Sequence, residues 1–137
     1  MPQNDLTPND RASFNEALVG ILSDHATLRR LAAATTSHHG NAADEAMSLA
    51  EAMETHERIE ARLFALPLIT RPPEIVISTA ARAHQRCMEF ATGTYHLPDT
   101  RAAVASFVDA LLAHLAAEEA WLAQEDERQK ERLSIIN

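Results

Sequence analysis

The chain has 137 residues, a formal net charge of −8, three glycines and a single cysteine, Cys87. A chain of this length can bury one core without disulfides, and one cysteine allows no intrachain bridge. The acidic balance argues against nucleic-acid binding by charge, since no compact Lys/Arg patch is present. Alanine, leucine, glutamate and arginine dominate, which is helix-forming composition. A single all-α domain over residues 1–137 is expected, with its core at about 10–125. The polar start carries no signal pattern. No apolar run approaches the roughly 18 residues that span a bilayer. A cytoplasmic protein without a membrane or nucleic-acid partner is therefore expected.

Thr7-Pro8 reads as an N-cap followed by proline at the first helical position, with Asp10 as a competing cap. The first helix should run to about Ser37 and present Phe14, Leu18, Ile21, Leu22, Leu28 and Leu31 on one face, with His25 in the middle of it. His38-His39-Gly40-Asn41 breaks the pattern: Gly40 can end one helix and Asn41 can cap the next. A second helix follows from about Ala42 to Leu66, stopped by Pro67. After the proline-rich connection, Ile75-Val76-Ile77 forms the first turns of a third helix ending near Thr92-Gly93. Its expected inner face is Ile77, Ala80 or Ala81, His84, Met88 and Ala91. His96 falls in a loop, and Asp99 or Thr100 caps a fourth helix striped by Phe107, Leu111, His114, Glu118, Trp121 and Leu122. The charged run Glu125–Arg132 reads as a solvated face. Four amphipathic helices with short connections predict an up-down-up-down antiparallel four-helix bundle. Counted from the first two turns, His25, His56 and His84 reach a common level, whereas His84 lies nearer the third turn than His114 does.

His56 and Glu60 are four residues apart, on the helix face that also carries Leu49, Met53 and Leu63. A buried carboxylate without a partner costs roughly several kcal/mol, so a proton, a cation or a metal must compensate it. The arrangement recurs as His114 and Glu118. Each helix thus offers one inward histidine (His25, His56, His84 and His114), and two helices add Glu60 and Glu118. Imidazoles suit iron, zinc, copper and nickel, and carboxylates can bridge two ions. Two metals sharing Glu60 and Glu118 form a coherent set, whereas a four-histidine zinc site leaves both carboxylates unexplained. The plainer alternatives are histidines hydrogen-bonded in a core, Cys87 as a small hydrophobe, and Met53 and Met88 as packing.

The ordered set resembles the hemerythrin-like, histidine/glutamate (HHE) cation-binding domains. Their pattern is a histidine on the first helix, His-x-x-x-Glu on the second, one or two histidines on the third, and a histidine with an acid on the fourth. His25, His56 with Glu60, His84, and His114 with Glu118 match it. The resemblance implies a four-helix bundle around a non-haem di-iron centre, two Fe ions bridged by carboxylates, with His25 and His56 on one iron and His84 and His114 on the other. Leu22, Met53, Met88 and Leu111 would exclude bulk water. Oxygen carriers of the family have a second histidine where this chain has Met88. That departure leaves room for Glu57, Cys87 or Glu89 as a further ligand, or for an open position on iron. Carriers also place the last acid five residues after the histidine, at Glu119, but Glu118 lies about 40° round the helix from His114 against about 140° for Glu119. The implied function is binding or sensing a small molecule such as dioxygen or nitric oxide, or handling iron. Enzymatic action on peroxide or oxygen, and a zinc-stabilised bundle acting through a protein partner or as a homo-oligomer, are the alternatives.

Overall fold

The computed structural model describes residues 7–36, 42–66, 69–94 and 99–136. Four helices span them: α1 (Pro8–Thr36), α2 (Ala42–Phe64), α3 (Glu74–Thr92) and α4 (Thr100–Ile136). They form the expected up-down-up-down antiparallel bundle, α1 packed along α2 and α3 along α4, with α1 also against α4. The expected turn at Gly40-Asn41, and His38, His39 and His96, lie outside the described residues.

Local chemistry sets the helix ends. Thr7 Oγ1 accepts the Asp10 N–H at 3.1 Å and Asp10 Oδ2 accepts the Thr7 N–H at 3.1 Å. The two residues therefore cap α1 reciprocally rather than compete. α3 ends on Gly93, whose φ of 69° is left-handed. Its N–H bonds Phe90 O at 3.2 Å, and that of Thr94 bonds Glu89 O at 2.9 Å. Asp99 Oδ1 accepts the Ala102 N–H at 2.7 Å and caps α4.

The core has two apolar halves. One contains Leu28, Leu49, Met53, Ala83, Phe90, Phe107, Leu111 and Leu115. The other contains Phe14, Ile21, Leu63, Val76, Trp121 and Leu122. Between them lie buried polar residues: His25 between Ile21 and Leu28, His56 and Glu60 between Met53 and Leu63, His114 and Glu118 between Leu111 and Trp121. α4 is long and apolar enough by composition to cross a membrane. In the bundle its side chains Val104, Phe107, Leu111, Leu115 and Leu122 are buried against the other helices.

Three expectations are corrected. The inner face of α3 is Val76, Ala83, Cys87 and Phe90, one residue back from Ile77, His84, Met88 and Ala91. Both stripes have spacings of seven, four and three, so periodicity alone does not separate them. Side-chain size does, because the inward phase buries Phe90 against Phe107, with ring centroids 6.5 Å apart. Second, Leu22 and Met88 are 43% and 47% exposed and do not shield the buried histidines. Third, the 125–132 run is not simply solvated. Glu125 and Gln129 are buried, Glu125 accepts the Thr70 hydroxyl at 2.8 Å, and Arg11 pairs with Asp126 and Gln129. These polar contacts dock the end of α4 onto α1 and onto the segment before α3.

The phase of α3 has a direct test. Phe90→Ala should cost about 3–5 kcal/mol in chemical denaturation, whereas Met88→Ala should stay within about 0.5 kcal/mol of wild type. The reverse order would restore the phase read from periodicity.

Candidate metal centre

α1, α2 and α4 bring five predicted residues together: His25, His56, Glu60, His114 and Glu118. All are 6% exposed or less, so bulk water cannot satisfy them. His56, Glu60, His114 and Glu118 each offer a ligand atom, and these atoms lie within 4.8 Å of one another. The His25 and His56 rings are 4.9 Å apart, as the level counted from the first turn predicts, and those of His56 and His114 are 6.0 Å apart although the count from the third turn set His114 off that level.

Each imidazole turns the same nitrogen inward. His25 Nε2 is 2.9 Å from Glu118 Oε1, His114 Nε2 is 2.9 Å from Glu60 Oε2, and His56 Nε2 lies 3.4 Å from Glu118 and 3.5 Å from Glu60. The outward nitrogens are engaged elsewhere. His25 Nδ1 meets Glu119 Oε2 at 2.7 Å, and Arg29 braces that carboxylate. His56 Nδ1 meets Asp24 Oδ2 at 2.6 Å. His114 Nδ1 lies 3.3 Å from Thr79 Oγ1, whose hydroxyl donates to Ile75 O at 2.7 Å and so accepts from the ring. With Nδ1 donating outward, each Nε2 presents a lone pair unless it takes a second proton. This is the outer-shell arrangement that orients histidines on a metal. His56 Nε2 and Glu118 Oε2 have no hydrogen-bond partner although both are buried. Orphaned atoms of this kind call for a ligand.

The carboxylates also face two ways. Glu118 directs Oε1 toward His25 and His56 and Oε2 toward His114 at 3.4 Å. Glu60 directs Oε1 toward His56 and Oε2 toward His114. The cluster is thus able to chelate a metal ion.

Protons balance the layer when no metal does. Burial opposes a charge on His56, but Glu118, Glu60 and Asp24 outweigh it and raise the pKa from 6.5 to about 9. Burial, followed by the neighbouring Glu118, raises Glu60 from 4.5 to about 7 even though His114 opposes this. Burial works against the Glu118 charge too, yet the hydrogen bond with His25 and the proximity of His56 hold its carboxyl well below the ordinary range.

α3 supplies no member of the cluster. His84 is exposed and bonds Glu57 Oε1 at 2.8 Å; Thr79 stands opposite His114, in keeping with the uneven third turn. Of the other residues considered as ligands, Glu57 holds His84, Glu89 holds Arg86, and Glu119 supports His25 from outside. Cys87 is a buried free thiol, pushed up to about 11 by burial and by the charges of Glu57 and Glu54. Asp24 and Thr79 were missed in the sequence. Asp24 adjoins His25, and only the α1–α2 register places it at His56. Comparison with protein-family models, curated proteins and solved structures gives no match.

Two outcomes follow. The stability contributed by raised His56 is present below 6.5 and lost as pH rises through about 9, and that of raised Glu60 is lost from 4.5 through about 7. Chelator-treated protein should therefore melt several degrees lower at pH 9 than at pH 7; a flat or rising melting temperature contradicts the proton-compensated layer. Asp24→Ala should weaken metal affinity by about 10–100-fold in equilibrium titration, with unchanged helicity by circular dichroism.

Proposed function

We propose that this bundle is a hemerythrin-like metal protein whose centre is a carboxylate-bridged pair of iron ions, serving to bind or sense a small molecule such as dioxygen or nitric oxide, or to handle iron. The observation that carries this reading is the division of both carboxylates. Glu60 and Glu118 each send one oxygen to the His56 side and the other to His114. That division supports a reading with two ligand positions flanked by imidazoles, His25 lying beside His56 and both acids shared. Imidazole and carboxylate donors without thiolate suit iron.

In this reading His25 and His56 hold one ion, His114 holds the other, and Glu60 and Glu118 span both. Bound iron supplies reversible electron exchange and an open coordination position. The protein's own contribution is to hold the ligands rigid. Asp24, Glu119 and Thr79 fix ring orientation, and Met53, Leu111 and Leu115 keep this part of the core apolar. His84 stands outside the set while bonded to Glu57, which leaves the α3 side without a histidine ligand. A second reading rests on the tight group His56, Glu60, His114 and Glu118: four ligands of this kind suit one tetrahedral zinc that stabilises the bundle.

Metal analysis of protein purified without added metal separates the two. The di-iron reading predicts about two irons per chain and near-ultraviolet charge-transfer absorption that changes on exposure to air. One zinc with a featureless spectrum supports the second reading and sinks the first. Glu60→Ala should lose most of the metal and the stabilisation that metal confers, because metal binding and folding are coupled. Full metal content in that variant rejects Glu60 as a bridge.

A further inference from the structure

We propose that Glu51, Glu54 and Glu57 on α2 form an acidic inlet that draws a divalent cation along the α2–α3 gap to the buried centre, with the Glu57–His84 pair midway along it. The inference rests on the reading of the buried cluster as a metal site. Two cavities lie in the gap between α2 and α3, the adjacent helices that approach each other least. One, about 280 Å³, is lined by Glu51, Glu54, Glu57 and His84 with Met47 and Met88. The other, about 310 Å³ and also open to solvent, is lined by Glu57, Glu60, His84 and His114 with Met53, Ala80 and Ala81. Glu57 and His84 are the residues common to both linings. They are hydrogen-bonded at 2.8 Å and so stand between the two spaces.

The carboxylates are graded along this path. Glu51, Glu54, Glu57 and Glu60 recur every three residues, each step advancing about 4.5 Å along the helix and turning about 60° round it. Side-chain exposure falls from 68% at Glu54 to 36% at Glu57 and 8% at Glu60. The series therefore descends from solvent to Glu60, a member of the cluster in which His56 Nε2 and Glu118 Oε2 lack hydrogen-bond partners. The other approaches are filled: Glu119 with Arg29 backs His25, Asp24 backs His56, and Thr79 backs His114. Two basic groups meet these carboxylates, Arg58, paired with Glu54 at 3.2 Å, and His84, paired with Glu57. Carboxylates outnumber them, so a cation is drawn in and an anion is not. His84 is 56% exposed; it can swing outward and let Glu57 exchange a hydrogen bond for the passing ion.

The test is the rate of metal uptake. Chelator-treated full-length protein is mixed with Co²⁺ in a stopped-flow instrument, and the visible absorption of the bound ion is followed. Glu54→Gln/Glu57→Gln should slow uptake at least about fivefold at low ionic strength and flatten its salt dependence, with the final Co²⁺ content unchanged. Glu131→Gln, an exposed change on α4, should leave the rate as in wild type. Uptake as fast as wild type in the double variant overturns the inlet while leaving the metal centre standing. A lower final content overturns it too, because Glu57 would then be a ligand rather than a passage. Wild-type protein that takes up no Co²⁺ at all overturns the reading of the centre itself.

Discussion

The rest of this structure depends on one electrostatic constraint. Three imidazoles and two carboxylates are buried in one layer between two apolar clusters. Two carboxylates in direct reach of one another cannot both stay ionised without positive charge nearby. In the metal-free protein, charge on His56 and a raised pKa at Glu60 provide the balance. A metal ion bound there would displace those protons and use the same lone pairs. A proton-compensated layer and a metal-compensated layer can therefore share one geometry, and the cluster can be assembled before any ion arrives.

The surrounding helices make sense against that layer. α1 and α4 bring histidine, carboxylate and arginine together at Glu119, which steadies His25 from outside. The Arg29 guanidinium beside Glu119 holds its carboxyl below the ordinary range, so it remains an acceptor for the ring. α3 contributes a hydroxyl, Thr79, and otherwise presents alanines near the centre. Small side chains on that helix leave the α2–α3 gap unfilled. The same gap accounts for the exposure of Met88 and His84 on a helix whose true inner face is Val76, Ala83, Cys87 and Phe90. At the far end, Arg11, Thr70, Glu125 and Gln129 tie three parts of the chain together with polar contacts where the apolar core runs out.

Much of this was legible in the chain. The four helices follow from long apolar periodicities and from caps at Thr7, Gly93 and Asp99, each with a local mechanism. His56 with Glu60 and His114 with Glu118 were legible because spacing of four fixes a shared face whatever the tertiary context. His25 was legible from its place between Ile21 and Leu28. The phase of α3 was not, because two stripes with the same spacing compete there, and the choice rests on Phe90 meeting Phe107, a contact between helices. Asp24 and Thr79 were hidden for a related reason: an outer partner of a histidine is defined by another helix's register and leaves no mark in its own. Glu125 and Gln129 sit in a strongly polar run, where burial arises from the reach of Arg11 and Thr70 rather than from hydropathy.

The central claim is that the buried layer, and not the exposed histidine on α3, is where metal binds. Anomalous diffraction from crystals of iron-loaded protein tests it most directly. The account predicts anomalous density among His56 Nε2, His114 Nε2 and the carboxylates of Glu60 and Glu118. Density confined to the groove beside His84 and Cys87, with nothing in the buried layer, would contradict it.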